Sequence, residues 1–185
     1  MANPLLLING LPASGKSTLA EDIATRLGWP LLSKDDIKEA LADLVGPAVP
    51  SSNLGMIAMD TIWSLTAHIG TGVVVESFWW AHRDREHVER GVRESGAETV
   101  VELWCEVDDE VARQRYEERE RHVVHEPDWD LWDSEEWKQN PPVPLDLGPV
   151  VWLRTDSEYD VDAVMAELGA AFSNTDDPEV IRSES

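Results

Sequence analysis

Gly10-Leu11-Pro12-Ala13-Ser14-Gly15-Lys16-Ser17 fills every fixed position of the pattern G-x-x-x-x-G-K-[ST]. Two glycines at that spacing let the backbone curl so that successive N–H groups point at phosphate oxygens. The partial positive charge of a following helix adds to their pull. Lys16 would neutralise β and γ phosphates, and Ser17 would place its hydroxyl on a phosphate-bound magnesium ion. Gly10, Pro12, Ala13, Ser14, Gly15, Lys16, Ser17 and Thr18 are therefore the expected nucleotide-binding set, with ATP and Mg2+ as the expected cofactors. The plainer alternative, a glycine-rich turn carrying a chance Lys-Ser, lacks a reason for the flanks described below.

Phosphate binding alone would suit a switch, a motor or a transferase, so residues able to handle an acceptor hydroxyl must decide. Lys34-Asp35-Asp36 is the best candidate. Asp35 could accept the proton of a hydroxyl as it attacks the γ phosphate. Aspartate at a helix start is also common for capping alone, which is the preferred reading of Asp36.

Such residues need elements to hold them at one edge. Short apolar runs at Leu5 to Asn9, Pro30 to Ser33, Val73 to Ser77, Thr99 to Cys105 and Val150 to Arg154 read as strands. Helical spacing fills Lys16 to Leu27, Asp35 to Leu44, Leu54 to Ile69, Arg83 to Glu94, Glu110 to His122 and Val161 to Phe172. Alternating strands and helices predict an α/β, three-layer fold with a five-stranded parallel sheet, the carboxyl ends of its strands at one edge. Ser17, Asp35 and Glu76 fall near that edge. Residues 123–149 carry five prolines and Trp129, Trp132 and Trp137, which predicts a lid insert over the acceptor or a surface-packed loop. Residues 1–172 then form a single domain, and the polar stretch 173–185 reads as a mobile acidic tail.

The chain of 185 residues has 37 acidic against 15 basic residues, a formal charge of −22. That balance repels an extended polyanion and argues against a nucleic-acid partner, favouring a cationic or neutral small molecule. Eight of the eleven arginines lie within 83–93 and 113–121, where they suit either phosphate handling or salt bridging on solvated helices. No stretch is long and apolar enough to span a bilayer, no basic leader precedes the first strand, and the one cysteine, Cys105, has no internal partner. The expected location is the cytoplasm, with no membrane partner; oligomeric state is left open.

The run Gly10 to Thr18 followed by Ser33-Lys34-Asp35-Asp36-Ile37-Lys38 resembles the small P-loop kinases that include polynucleotide 5′-kinase, gluconate kinase and the zeta-toxin group. The resemblance implies Asp35 as the catalytic base and Lys38 as an acceptor contact. It also implies arginines spaced R-x-x-x-R after the fourth strand that close over the triphosphate. Arg115 and Arg119 match that spacing on one helical face, with Arg121 able to substitute for either. Glu76 stands where many P-loop proteins place a magnesium-ordering aspartate. Trp79, Trp80 and Arg83 then stand beside the expected acceptor cleft, the two indoles as an aromatic wall or as core.

The leading expectation is an ATP-dependent phosphotransferase acting on a hydroxyl of a small molecule, sugar-like or nucleoside-like. Glu126, Asp128, Asp130 and Asp133 in the insert would favour an amine-bearing acceptor. The alternatives are a polynucleotide or nucleoside 5′-hydroxyl kinase, and a nucleotide-dependent switch without an acceptor.

Overall fold

Leu5, Leu6, Leu7 and Ile8 are all 0% exposed, and the two-residue period of a strand divides them between two apolar layers. The computed structural model describes residues 3–125 and 130–175. In it β1 (Pro4–Gly10) is the central strand of a five-stranded parallel sheet, paired with β3 (Val73–Glu76) on one side and β4 (Thr99–Glu106) on the other. The outer strands β2 (Leu31–Ser33) and β5 (Val150–Arg154) complete the order β2-β3-β1-β4-β5.

Leu6 and Ile8 face a layer made by α1 (Lys16–Leu27) and α7 (Val161–Thr175), where Leu19, Ile23, Val164 and Leu168 meet Val74, Val101 and Leu103. Leu5 and Leu7 face α3 (Ser51–Thr66) and α4 (Ala81–Ser95), through Met59, Ile62, Trp63 and Val88. Each leucine or isoleucine removed from water in this way contributes about 1.5–3 kcal/mol. The expected three-layer α/β architecture with its parallel sheet is the observed one.

Two further helices shape the site. α2 (Lys34–Val45) follows β2 without an intervening residue, and α5 (Asp109–Glu118) follows β4. The expectation that α5 runs to His122 does not hold: Glu117 and Glu118 put negative charge at the helix's negative end, and Arg119 is already extended at φ −73°, ψ 127°. The Arg121 guanidinium donates to the Tyr116 carbonyl, satisfying a last-turn acceptor.

The described part of the insert carries regular structure despite its prolines. A 3-10 turn at Leu131–Asp133 and a short α6 (Glu135–Gln139) carry Trp132 and Trp137 into a third apolar cluster with Leu11, Trp80, Val107 and Ala112. Trp129 lies outside the described residues. At the far end, α7 takes in residues 173–175, which the expected tail included; residues 176–185 lie outside the described residues.

Candidate active site

The turn after β1 is locked by backbone geometry before any ligand is considered. Ser14 N–H donates to the Leu11 carbonyl at 3.1 Å, and Ala13 and Gly15 take positive φ of 62° and 84°. A Cβ on Gly10, whose φ is 146°, would lie 2.5 Å from the Cys105 carbonyl oxygen, so only glycine fits against β4 here. Gly15 caps α1 without a side-chain hydrogen bond, and no acidic residue occupies the first turn. The first-turn amides are thus left to an outside anion.

Beneath this loop lies a buried polar network that pattern reading missed. Asn9 Oδ1 accepts from Gly10 N at 2.8 Å and Trp79 N at 3.0 Å, while Asn9 Nδ2 donates to Glu102 Oε1 at 3.0 Å. Glu102, 1% exposed, also accepts from Leu145 N and Asp146 N, both at 3.0 Å. Burial holds the Glu102 carboxyl above its ordinary range, with those donors pulling the other way. A lone acid inside the apolar run Thr99 to Cys105 was the available signal. Burial likewise pushes the Cys105 thiol up to about 12, which makes it an inert core residue.

Lys16 is 8% exposed and donates from Nζ to the Leu11 carbonyl at 3.1 Å, folded back along the loop. Ser14 is 0% exposed and its Oγ has no hydrogen-bond partner. An orphaned hydroxyl, an uncapped helix start and a buried ammonium fit the terminal phosphates of a nucleotide. Ser17 stands half-buried in the first turn of α1, and Glu76, 3% exposed, ends β3 opposite Ile8. Among the described residues no cluster of three His, Cys, Asp or Glu could hold a metal. A serine hydroxyl after the loop lysine and a carboxylate at a strand end are donor types that suit a magnesium held mainly through phosphates and water. Burial raises the Glu76 carboxyl above its ordinary range, with Lys16 opposing, and its Oε2 accepts from Ser33 Oγ at 3.1 Å.

Ser33 also caps α2, accepting from Asp36 N at 3.5 Å, so the cap belongs to neither aspartate. Asp35 is exposed and, among the described residues, makes no side-chain hydrogen bond. It lines a cavity of about 510 Å³ together with Pro12, Ala13, Lys16, Lys38 and Arg83. Asp36 does not line it; burial and then Glu39 and Asp35 raise its carboxyl.

The far wall of the cavity is the chain returning from α5. Arg119, Glu120, Arg121, His122 and His125 all line it. This segment is pinned to α2 and α3 by His122 Nε2 to Asp43 Oδ1 at 3.2 Å, His125 Nε2 to Glu39 Oε1 at 2.9 Å, and Ser51 Oγ donating to the Val124 carbonyl at 2.7 Å. Arg121 stacks on Tyr116 with its guanidinium carbon 3.8 Å from the ring centroid. Arg115, by contrast, is exposed and outside the cavity lining, and since α5 ends before Arg119 the expected shared helical face is broken.

The expected aromatic wall is also displaced. Trp79 and Trp80 are 3% and 4% exposed; Trp79 packs among the β1 leucines, and Trp80 Nε1 donates to the Asn140 carbonyl at 2.7 Å. Phe78, Tyr116 and Leu131 line the cavity instead. Arg83 lines it while paired to Asp84, both contacts at 2.8 Å. Of the insert carboxylates, Asp133 is bound by Arg113 at 2.8 Å, neither Asp130 nor Asp133 lines the cavity, and Glu126 and Asp128 lie outside the described residues.

The family model described as AAA domain matches residues 5–136. No curated protein matches the chain. Among solved structures it is similar to a Chloroflexus aurantiacus protein described provisionally as a kinase, 27% identical at a TM-score of 0.77, with 92% of this chain and 99% of that one covered. It is also similar to a gluconokinase from Sinorhizobium meliloti, 17% identical, TM-score 0.60, with 98% of each chain covered. A third is the APS kinase of Mycobacterium tuberculosis, solved with AMPPNP and APS, 14% identical, TM-score 0.60, covering 93% of this chain and 98% of that one. The last two likenesses establish the fold, which is that of the P-loop kinases.

Proposed function

We propose that this chain, which belongs to the AAA domain family, is an ATP-dependent phosphotransferase that moves the γ-phosphate to a hydroxyl of a small molecule. The observation that carries this reading is Asp35: exposed, relieved of capping by Ser33, and lining the same cavity as Lys16. A switch without an acceptor would leave that carboxylate only the dipole of α2 to serve.

In the proposed reaction the acceptor oxygen forms a bond to the γ phosphorus as the bond from that phosphorus to the β–γ bridging oxygen breaks, releasing ADP. The hydroxyl proton passes to Asp35. Lys16 releases the Leu11 carbonyl and meets the terminal phosphates, while Arg119, with Arg121 beside it, meets negative charge from the opposite wall. Ser17 is the proposed magnesium ligand, with Glu76 ordering the ion's water. Magnesium, when bound, offsets charge on the β and γ phosphates.

Acceptor-dependent ATP consumption tests the reading, with Asp35→Asn as the control. The expected result is a loss of about a hundredfold or more in turnover with nucleotide affinity little changed. Undiminished transfer by the variant removes Asp35 from the role of base.

A further inference from the structure

The wall of the cavity that carries Arg119 is held by polar bonds rather than by packing. Residues 119–125 lead from α5 into the insert, and none of them joins any of the three apolar clusters. Val123 is 90% exposed. Three bonds tie the segment to α2 and α3: those of His122 with Asp43, His125 with Glu39, and Ser51 with the Val124 carbonyl. The Asp43 side chain is 75% exposed, and a pair so open to water holds little. His125 and Glu39, 18% and 35% exposed and 2.9 Å apart, are better sheltered. A carboxylate only accepts, so His125 Nε2 donates this bond.

Glu39 lies four residues after Asp35 in α2, so the two share a helical face, and both line the cavity. His125 follows Arg119 by six residues. The bond therefore reaches from the segment carrying Arg119 to the helix face carrying Asp35, and it sets how far apart the two stand. Arg121 has an anchor of its own in its stack on Tyr116. Arg119, exposed and past the end of α5, follows the segment. Burial, Glu39 and Asp35 raise the Asp36 carboxyl and Arg119 opposes them, so the Arg119 charge already reaches the start of α2. We propose that His125 and Glu39 are positioning residues that hold Arg119 opposite Asp35, at the separation the terminal phosphate needs. This role rests on the phosphotransferase reading.

Calorimetric titration of Mg·AMPPNP into the full chain tests this without an acceptor. Arg119→Ala should weaken binding by about tenfold, and Glu39→Ala and His125→Ala should each weaken it by a similar factor. Loss of a carboxylate facing a polyanion would by charge alone tighten binding, so weakening in Glu39→Ala runs opposite to the charge effect. Added to Glu39→Ala, Arg119→Ala should cost less than about twofold more, since an arginine no longer held has little left to lose. Glu39→Gln, whose amide oxygen accepts the same bond, should stay within about threefold of the parent. A pair that served the fold alone would leave the full cost of Arg119→Ala in the Glu39→Ala background, and that result overturns the inference. So does unchanged or tighter binding by Glu39→Ala or His125→Ala, an Arg119→Ala variant that binds like the parent, or no recovery in Glu39→Gln. Lys16→Ala reports the nucleotide site independently. Where that substitution abolishes binding by the parent, a missing coupling overturns the positioning role and leaves the phosphotransferase reading standing. A parent that does not bind, or a Lys16→Ala variant that binds as well as the parent, overturns both.

Discussion

Glu76 shows how one buried acid is held between two demands. Its carboxylate has a hydroxyl donor in Ser33 and a cation in Lys16, yet burial outweighs both and its carboxyl stays above the ordinary range. A raised value in the folded state means that the folded chain holds this proton more tightly than the unfolded one. The associated stability is present in full below the unfolded value and is lost as pH rises through the raised one. Glu76→Gln removes the titration, so its melting-temperature advantage over the parent should grow as pH rises above the ordinary carboxylate range. A constant or shrinking advantage in thermal melts contradicts this account. At the same scale, the phosphate loop was legible because its backbone demands are local: Gly10 and Gly15 answer to φ and to a neighbour's carbonyl. Asn9 and Glu102 escaped notice because their bond joins residues 93 apart, and nothing in a local pattern reports a partner at that distance.

Helix ends decide which arginine meets the site. Spacing alone puts Arg115 and Arg119 on one face, but that holds only while the helix continues, and α5 stops at Glu118. Arg119 and Arg121 reach the cavity from an extended segment, a different geometry from the one the R-x-x-x-R spacing implies. Arg119→Ala should lower kcat/KM by about a hundredfold, as loss of a transition-state donor does. Arg115→Ala should stay within about twofold, as exposed surface changes do. Steady-state kinetics on both variants checks this; the reverse ranking would restore the helical pair. The elements themselves were largely readable, since apolar runs and helical spacing are set by burial on each face of the sheet. What could not be read was where adjacent tryptophans point. Trp79 and Trp80 are neighbours in sequence, yet one joins the α3–α4 core and the other joins Trp132 and Trp137 under the phosphate loop.

The whole molecule sets a field against which the cavity works. A formal charge of −22 spread over 185 residues repels itself, and the cations that line the cavity relieve this only locally. Screening shrinks the range of that repulsion from about 30 Å at 0.01 M salt to about 8 Å at 0.15 M. Melting temperature should therefore rise by about 2–4 °C over that interval, the shift expected for roughly 1 kcal/mol in a chain of this size. A fall measured by calorimetry would mean that native ion pairs outweigh net repulsion. Composition gave the sign of the surface but not the clustering at the cavity, where, among the described residues, six cations from four separate segments converge only in three dimensions. The central claim concerns that convergence, and a crystal structure of the chain with Mg·AMPPNP measures it most directly. The γ-phosphate should lie on the Gly10–Ser17 amides and Lys16, with the Asp35 carboxylate facing its phosphorus across a gap wide enough for an alcohol. Asp35 turned away from that phosphorus, or a gap filled by the chain itself, would contradict the account.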